Sequence, residues 1–157
     1  MSPARQTFYE DIIVGEVERF GRAEVTREEV LAFAAKYDPQ PFHLSDEAAA
    51  KSHFGRLAAS GWQTCGLMMA MLAQHFSNIG YASMGAAGID ELRWQKPVYP
   101  GDVLRLELLV SAKRRSKSRP EMGLLRQHCT AFNQHDEAVC SFISSGMVKT
   151  RDPAHTD

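Results

Sequence analysis

Hydrophobic positions fall into distinct regimes along the chain. In VTREEVLAFAAKYD, Val30, Phe33, Ala34 and Tyr37 recur at helical spacing behind a Thr26–Glu29 capping pair. Asp38-Pro39 predicts the end of that helix, because proline disfavours helical geometry at the residue before it. SDEAAAKSHFG predicts a short helix capped by Ser45 or Asp46 and ending near Gly55. The stretch from Trp62 to Phe76 differs from both. It is apolar on nearly every face and has no charged side chain when His75 is neutral. A helix without a polar face has to be buried. It falls short of the roughly 20 apolar residues that span a bilayer, so protein must surround it.

The second half of the chain supplies the wrapping. GIDELRWQKPV, VLRLELLVSAKRR, GLLRQHCTAFNQ and AVCSFISSGMVKT read as four successive strands. In the second, Leu104, Leu106, Leu108 and Val110 share one face at period two. YPGD (Tyr99 to Asp102) is a turn by its Pro-Gly pair, and NQHDE is a hairpin loop. GEVERFGRAEV, near the N-terminus, adds a fifth strand. Five strands curved around one apolar helix make an α+β architecture, the hot-dog fold. Such a sheet leaves an edge strand that must be blunted or paired. Pairing two copies edge to edge predicts a homodimer at least. The polar tail TRDPAHTD is expected to fray.

Composition narrows the class. A chain of 157 residues, 44% apolar and 24% charged, suits one domain that needs no disulfide or metal staple. That domain is read as 1–157, with its core at about 15–148. A formal net charge of −1 gives no global attraction for nucleic acid or an anionic membrane. Cys65, Cys129 and Cys140 lack CxxC spacing and read as free thiols of a reducing compartment. MSPARQTFYEDI carries no apolar run of signal-peptide length, so the expectation is a cytoplasmic protein. The six histidines include no HxH or HExxH spacing, and no metal site or redox cofactor is predicted.

The candidate chemistry lies in YDPQPFHLSD, Tyr37 to Asp46. Pro39 and Pro41 fix their own φ and push Asp38 and Gln40 toward extended geometry. A plain helix exit needs no more than this. So does a loop that holds Asp38 and His43 in a fixed relation, and together those two can bind, orient and deprotonate one water. Gly61, where the buried helix begins, is the second candidate. First-turn N–H groups have no partner inside the helix and sit at its positive dipole end. Glycine there lets a ligand oxygen approach the backbone.

FAAKYDPQPFHLSDEAAA, then ASGW before the apolar helix, then KPVYPGD, resembles the MaoC-like dehydratases, the (R)-specific enoyl-CoA hydratase family. The family pattern of an acid, any residue, Asn, Pro, an apolar residue and His is matched by Asp38, Pro39, Gln40, Pro41, Phe42 and His43. Gln40 stands where Asn is usual, and Ser60 where many members have His. The resemblance runs from about Gly15 to Val148. It implies hydration of a trans-2-enoyl thioester to the (R)-3-hydroxyacyl thioester, in fatty acid metabolism. Asp38 and His43 would activate water, and the Gly61 amide would stabilise the thioester oxyanion. Gln40, Phe42, Ser60 and Trp62 are the candidate substrate contacts. Coenzyme A is expected as part of the substrate, without a separate cofactor.

Three further features have competing readings. KRRSKSRPE, Lys113 to Glu121, is a solvated hairpin connection or a contact for coenzyme A phosphates. Cys65, one turn into the apolar helix, reads as core packing rather than an activated nucleophile. Met68, Met69 and Met71 read as core filling or as the lining of an adaptable acyl tunnel. The rival functions are a hot-dog thioesterase, a hydratase for branched or dicarboxylic acyl groups, and a non-catalytic acyl-thioester-binding protein. Many hot-dog thioesterases use a carboxylate on the central helix, and no Asp or Glu occurs between Gly61 and Ile89.

Overall fold

The computed structural model describes residues 6–154. In chain order, β1 (Val17–Glu24) leads to α1 (Arg27–Tyr37), α2 (Pro41–Leu44), α3 (Asp46–Ala50) and α4 (Gly61–Asn78). Then come β2 (Ser83–Trp94), β3 (Val103–Arg115), β4 (Met122–Phe132) and β5 (Ala138–Lys149). The strands form one antiparallel sheet in the order β1-β3-β4-β5-β2. This is the hot-dog arrangement of a sheet laid against one long helix.

Local signals account for most of the boundaries. Thr26 caps α1, its hydroxyl oxygen accepting from the Glu29 N–H at 3.3 Å. Ser45 does the same for α3 through Ala48, and Ser60 for α4 through Trp62. α3 stops at Ala50 rather than near Gly55, and the chain continues in turns. The start of β2 carries no strand pattern, since Ser83 to Gly88 is rich in small residues. Pairing with β5 holds it extended: Ser83 lies opposite Val148 and Ala86 opposite Gly146, with three register shifts along the strand. Glu91 sits at φ 51 within one of these irregularities.

The core forms where α4 meets the sheet. Met68 and Leu72 of α4 pack with Leu104, Leu106 and Leu108 of β3, and with Cys129, Ala131, Val139 and Cys140. The period-two face of β3 is buried as its pattern predicts. Removing side chains of this size from a core costs about 2–5 kcal/mol each.

Three expectations are corrected. α4 is not enclosed on every side: Met68, Met71 and Leu72 are buried, while Trp62 is 59% and Met69 53% exposed. β2 is exposed along nearly its whole length, including Ile89 and Trp94. One chain therefore wraps α4 only partway, and an apolar helix face lies open beside an unpaired sheet edge. Tyr37, placed on the buried stripe of α1, is instead exposed against the Phe33 ring. The start of the polar tail does not fray, because Thr150 donates to the Pro120 carbonyl and the Arg151 N–H to Glu10. The last three tail positions lie outside the described residues.

Candidate active site

The two prolines divide the Asp38–His43 segment into an exit and an entry. α1 ends at Tyr37, and Asp38 takes the C-cap position in non-helical geometry. Pro41 then opens a new helical turn, α2, from its first position, where a missing N–H does no harm. That turn was not apparent from the spacing, being too short for a periodic signal. It carries His43 inward to 4% exposure. The result brings His43 Nε2 to 3.4 Å from Asp38 Oδ2.

Hydrogen bonds fix both partners. The Ala58 carbonyl accepts from His43 Nδ1 at 2.7 Å. A carbonyl oxygen only accepts, so the proton of the neutral ring belongs on Nδ1 and the Nε2 lone pair faces Asp38. Asp38 Oδ1 accepts from Gln40 Nε2 at 2.7 Å, and Oδ2 accepts from the Ser60 hydroxyl at 2.7 Å. Burial pushes the Asp38 carboxyl up, but the bonds from Ser60 and Gln40 and the nearby His43 hold it below its ordinary value. Asp38 therefore stays ionised, and with a neutral His43 ring the two acceptors lie 3.4 Å apart, close enough for one water beside them to donate to both.

These groups border a cavity of about 500 Å³ lined by Asp38, Gln40, His43, Gly61, Trp62 and Trp94, among others. Gly61 is the first residue of α4. Trp94, missing from the sequence-based candidates, covers it: the indole Nε1–H donates to the Gly61 carbonyl at 2.9 Å. A Cβ on Gly61 would lie 2.5 Å from the indole ring, so packing against Trp94 alone calls for glycine here. Trp62 meets Trp94 edge to face, with ring centroids 5.2 Å apart. Trp94 belongs to no periodic pattern, and its only sequence signal is its place three residues before Pro97.

The remaining candidates separate by position. Gln40 and Trp62 line the cavity. Ser60 is fully buried and meets Asp38 and the first turn of α4 instead. Phe42 packs against the core, edge-on to the His43 ring, and is not among the cavity-lining residues. Met68 and Met71 are core residues, whereas Met69 lines a second, apolar groove of about 390 Å³ between α4, β2 and β5. Cys65 is half-buried. The Cys140 thiol lowers its pKa by hydrogen bonding against the opposing effect of burial, with Trp94 assisting.

Lys113 and Arg115 are tied into the fold, which corrects the solvated reading of the basic segment at those two residues. Lys113 donates to the Tyr9 and Ile12 carbonyls, and Arg115 pairs with Glu10. Along β3, Lys113 lies about 33 Å and Arg115 about 40 Å from the Val103 end, which follows the turn after the cavity-lining Val98. Among the described residues, no group of three or more His, Cys, Asp or Glu is placed to hold a metal ion, and no helix is long and apolar enough to cross a membrane.

The fold and this acid–histidine pair define a hot-dog protein with a site at the start of its long helix. Residues 12–130 match the MaoC like domain, and the chain belongs to that family, the MaoC-like dehydratases. A MaoC-like dehydratase from Rhodospirillum rubrum superposes with a TM-score of 0.85 at 40% identity, covering 93% of this chain and 99% of that one. The (R)-hydratase from A. caviae superposes with a TM-score of 0.65 at 26% identity, covering 90% and 98%. The 3-hydroxybutyryl-CoA dehydratase of Methylorubrum extorquens is 30% identical over 136 residues, 86% of this chain and 80% of the relative.

Proposed function

We propose that the protein is a hydratase/dehydratase that adds water to a trans-2-enoyl-CoA and gives the (R)-3-hydroxyacyl-CoA. The observation that carries this reading is the facing of two acceptors, His43 Nε2 and Asp38 Oδ2, 3.4 Å apart on the cavity wall. One water can donate to both. Asp38, held ionised by Ser60 and Gln40, orients that water and stabilises an imidazolium, while His43 takes the proton at Nε2. The oxygen bonds to the β-carbon, the double-bond electrons move onto the thioester oxygen, and the imidazolium returns its proton to the α-carbon. Atoms and charge balance without metal or redox cofactor.

The Gly61 N–H, in the first turn of α4, is the donor for the transient thioester oxyanion. Losing one such donor raises a barrier by about 3–4 kcal/mol. Gln40 and Trp62 contact substrate in this reading, and Ser60 acts through Asp38. The names of the (R)-hydratase and the 3-hydroxybutyryl-CoA dehydratase support both the thioester class and the product's hand.

A homodimer completes the molecule. The open face of α4 and the unpaired edge of β2 expose Trp62, Met69, Ile89 and Trp94, an apolar surface beside free strand hydrogen-bonding groups. A second copy laid edge to edge covers both and roofs the groove beside Met69.

The activity test is to mix purified protein with crotonyl-CoA and follow the conjugated enoyl-thioester absorbance together with free thiol. Absorbance loss without thiol is expected. Thiol release would move the protein to the thioesterases, and binding without turnover to the acyl-thioester-binding class.

A further inference from the structure

Both cavities open onto one stripe of α4. The site cavity touches Gly61, and the apolar groove touches Met69, Leu72 and Phe76 further along the same helix face. They share no lining residue. Cys65 occupies the intervening turn and packs against the core cluster that contains Cys140. On the sheet side, Trp94 pairs in register with Cys140, while the groove begins at Ile89 and Phe142. Along the helix Cys65, and along the sheet the Trp94–Cys140 pair, thus stand between the two cavities, with Trp94 on the wall of the first.

We infer that Trp94 is a specificity-determining residue that ends the acyl pocket and restricts substrates to short chains. The inference rests on the hydratase reading of the same site. With the thioester oxygen at the Gly61 amide, the distance along α4 to Cys65 is four residues, about 6 Å. A four-carbon enoyl group fills that length, and a longer chain meets the indole. Trp94 is fixed there by its bond to the Gly61 carbonyl, by the missing Cβ of Gly61 and by the edge of Trp62. Without the indole, the site cavity and the groove beside Met69 become one channel along the helix.

The test is calorimetric binding of butyryl-, octanoyl- and dodecanoyl-CoA, saturated thioesters that cannot be hydrated. The wild-type protein, Trp94→Ala and Trp94→Leu are compared, with folding checked by circular dichroism. Wild type is expected to favour butyryl-CoA, and both variants to shift the preference toward dodecanoyl-CoA by about tenfold or more. Equal wild-type affinity for the short and long chains overturns the inference whether or not the variants fold. An unchanged preference in a folded variant overturns it too. Because this readout needs no turnover, hydration failure with chain-length discrimination intact removes the hydratase reading alone. Hydration of crotonyl-CoA without discrimination removes the partition alone.

Discussion

His43 turns Nδ1 to the Ala58 carbonyl at 2.7 Å and Nε2 to Asp38 at 3.4 Å. The first contact fixes the ring and its tautomer, and the second sets the two acceptors close enough for one water beside them to bond to both. His43→Gln keeps a polar group in the same place but cannot exchange a proton near neutral pH. It is expected to lower kcat by about 10²–10⁴-fold with the far-ultraviolet circular dichroism unchanged. Retention of kcat within a fewfold would remove His43 from the proton path.

Ser60 joins the site to the fold, because one hydroxyl donates to Asp38 and accepts from the Trp62 N–H. Ser60→Ala removes a helix cap and a bond to a partly buried carboxylate, and is expected to destabilise by about 1–3 kcal/mol. It also removes a cause of the lowered Asp38 pKa. The Asp38 carboxyl should therefore protonate at higher pH in Ser60→Ala than in wild type, read by carbon-13 NMR of the side-chain carboxyl, which a purely structural role would not produce.

Asp38 also links stability to pH. Its carboxyl is held below the ordinary 3.8 in the folded chain, so folding favours the ionised form. That contribution is fully present above the unfolded pKa and drains away as pH falls through the lower, folded one. The difference in urea midpoint between wild type and Asp38→Asn should shrink between pH 7 and pH 3. A constant difference would show that the lowered pKa contributes no stability.

Gly61→Ala keeps the backbone N–H but drives a Cβ into the Trp94 indole. Melting temperature should fall in the single variant and recover at least partly in Gly61→Ala/Trp94→Ala. No recovery would mean that the close approach of Trp94 is not what requires glycine.

Arg115 offers a control at the far end of β3. It pairs with Glu10 and lies over the Tyr9 ring, itself 5% exposed. Arg115→Ala is expected to lower the melting temperature while leaving the KM for crotonyl-CoA within about twofold, since its effect on the distant site is additive and small. A large rise in KM with stability unchanged would return the basic segment to the coenzyme A phosphates.

Legibility followed the length over which a physical signal repeats. The alternation of Leu104, Leu106, Leu108 and Val110 was long enough to place β3, and its burial follows that pattern. The apolar run from Trp62 to Phe76 placed α4 but not its open side, because composition reports the need for cover and not which chain supplies it. The Asp38–His43 segment was visible through its prolines. The helical turn that buries His43 spans only Pro41–Leu44, too short to repeat. Ala58 and Trp94 were invisible for another reason. One acts through a backbone carbonyl, and the other reaches Gly61 across 33 positions of chain, so neither leaves a mark in local spacing.

The central claim is that Asp38 and His43 act as one unit on one water. The measurement that tests it most directly is kcat/KM on crotonyl-CoA for wild type, Asp38→Asn, His43→Ala and the double variant, all confirmed as folded. The account predicts that each single change costs about 10²–10⁴-fold, and that the double costs little more than the worse single, as for groups that work together. Two independent losses that multiply in the double variant, or near-normal turnover in either single one, would contradict it.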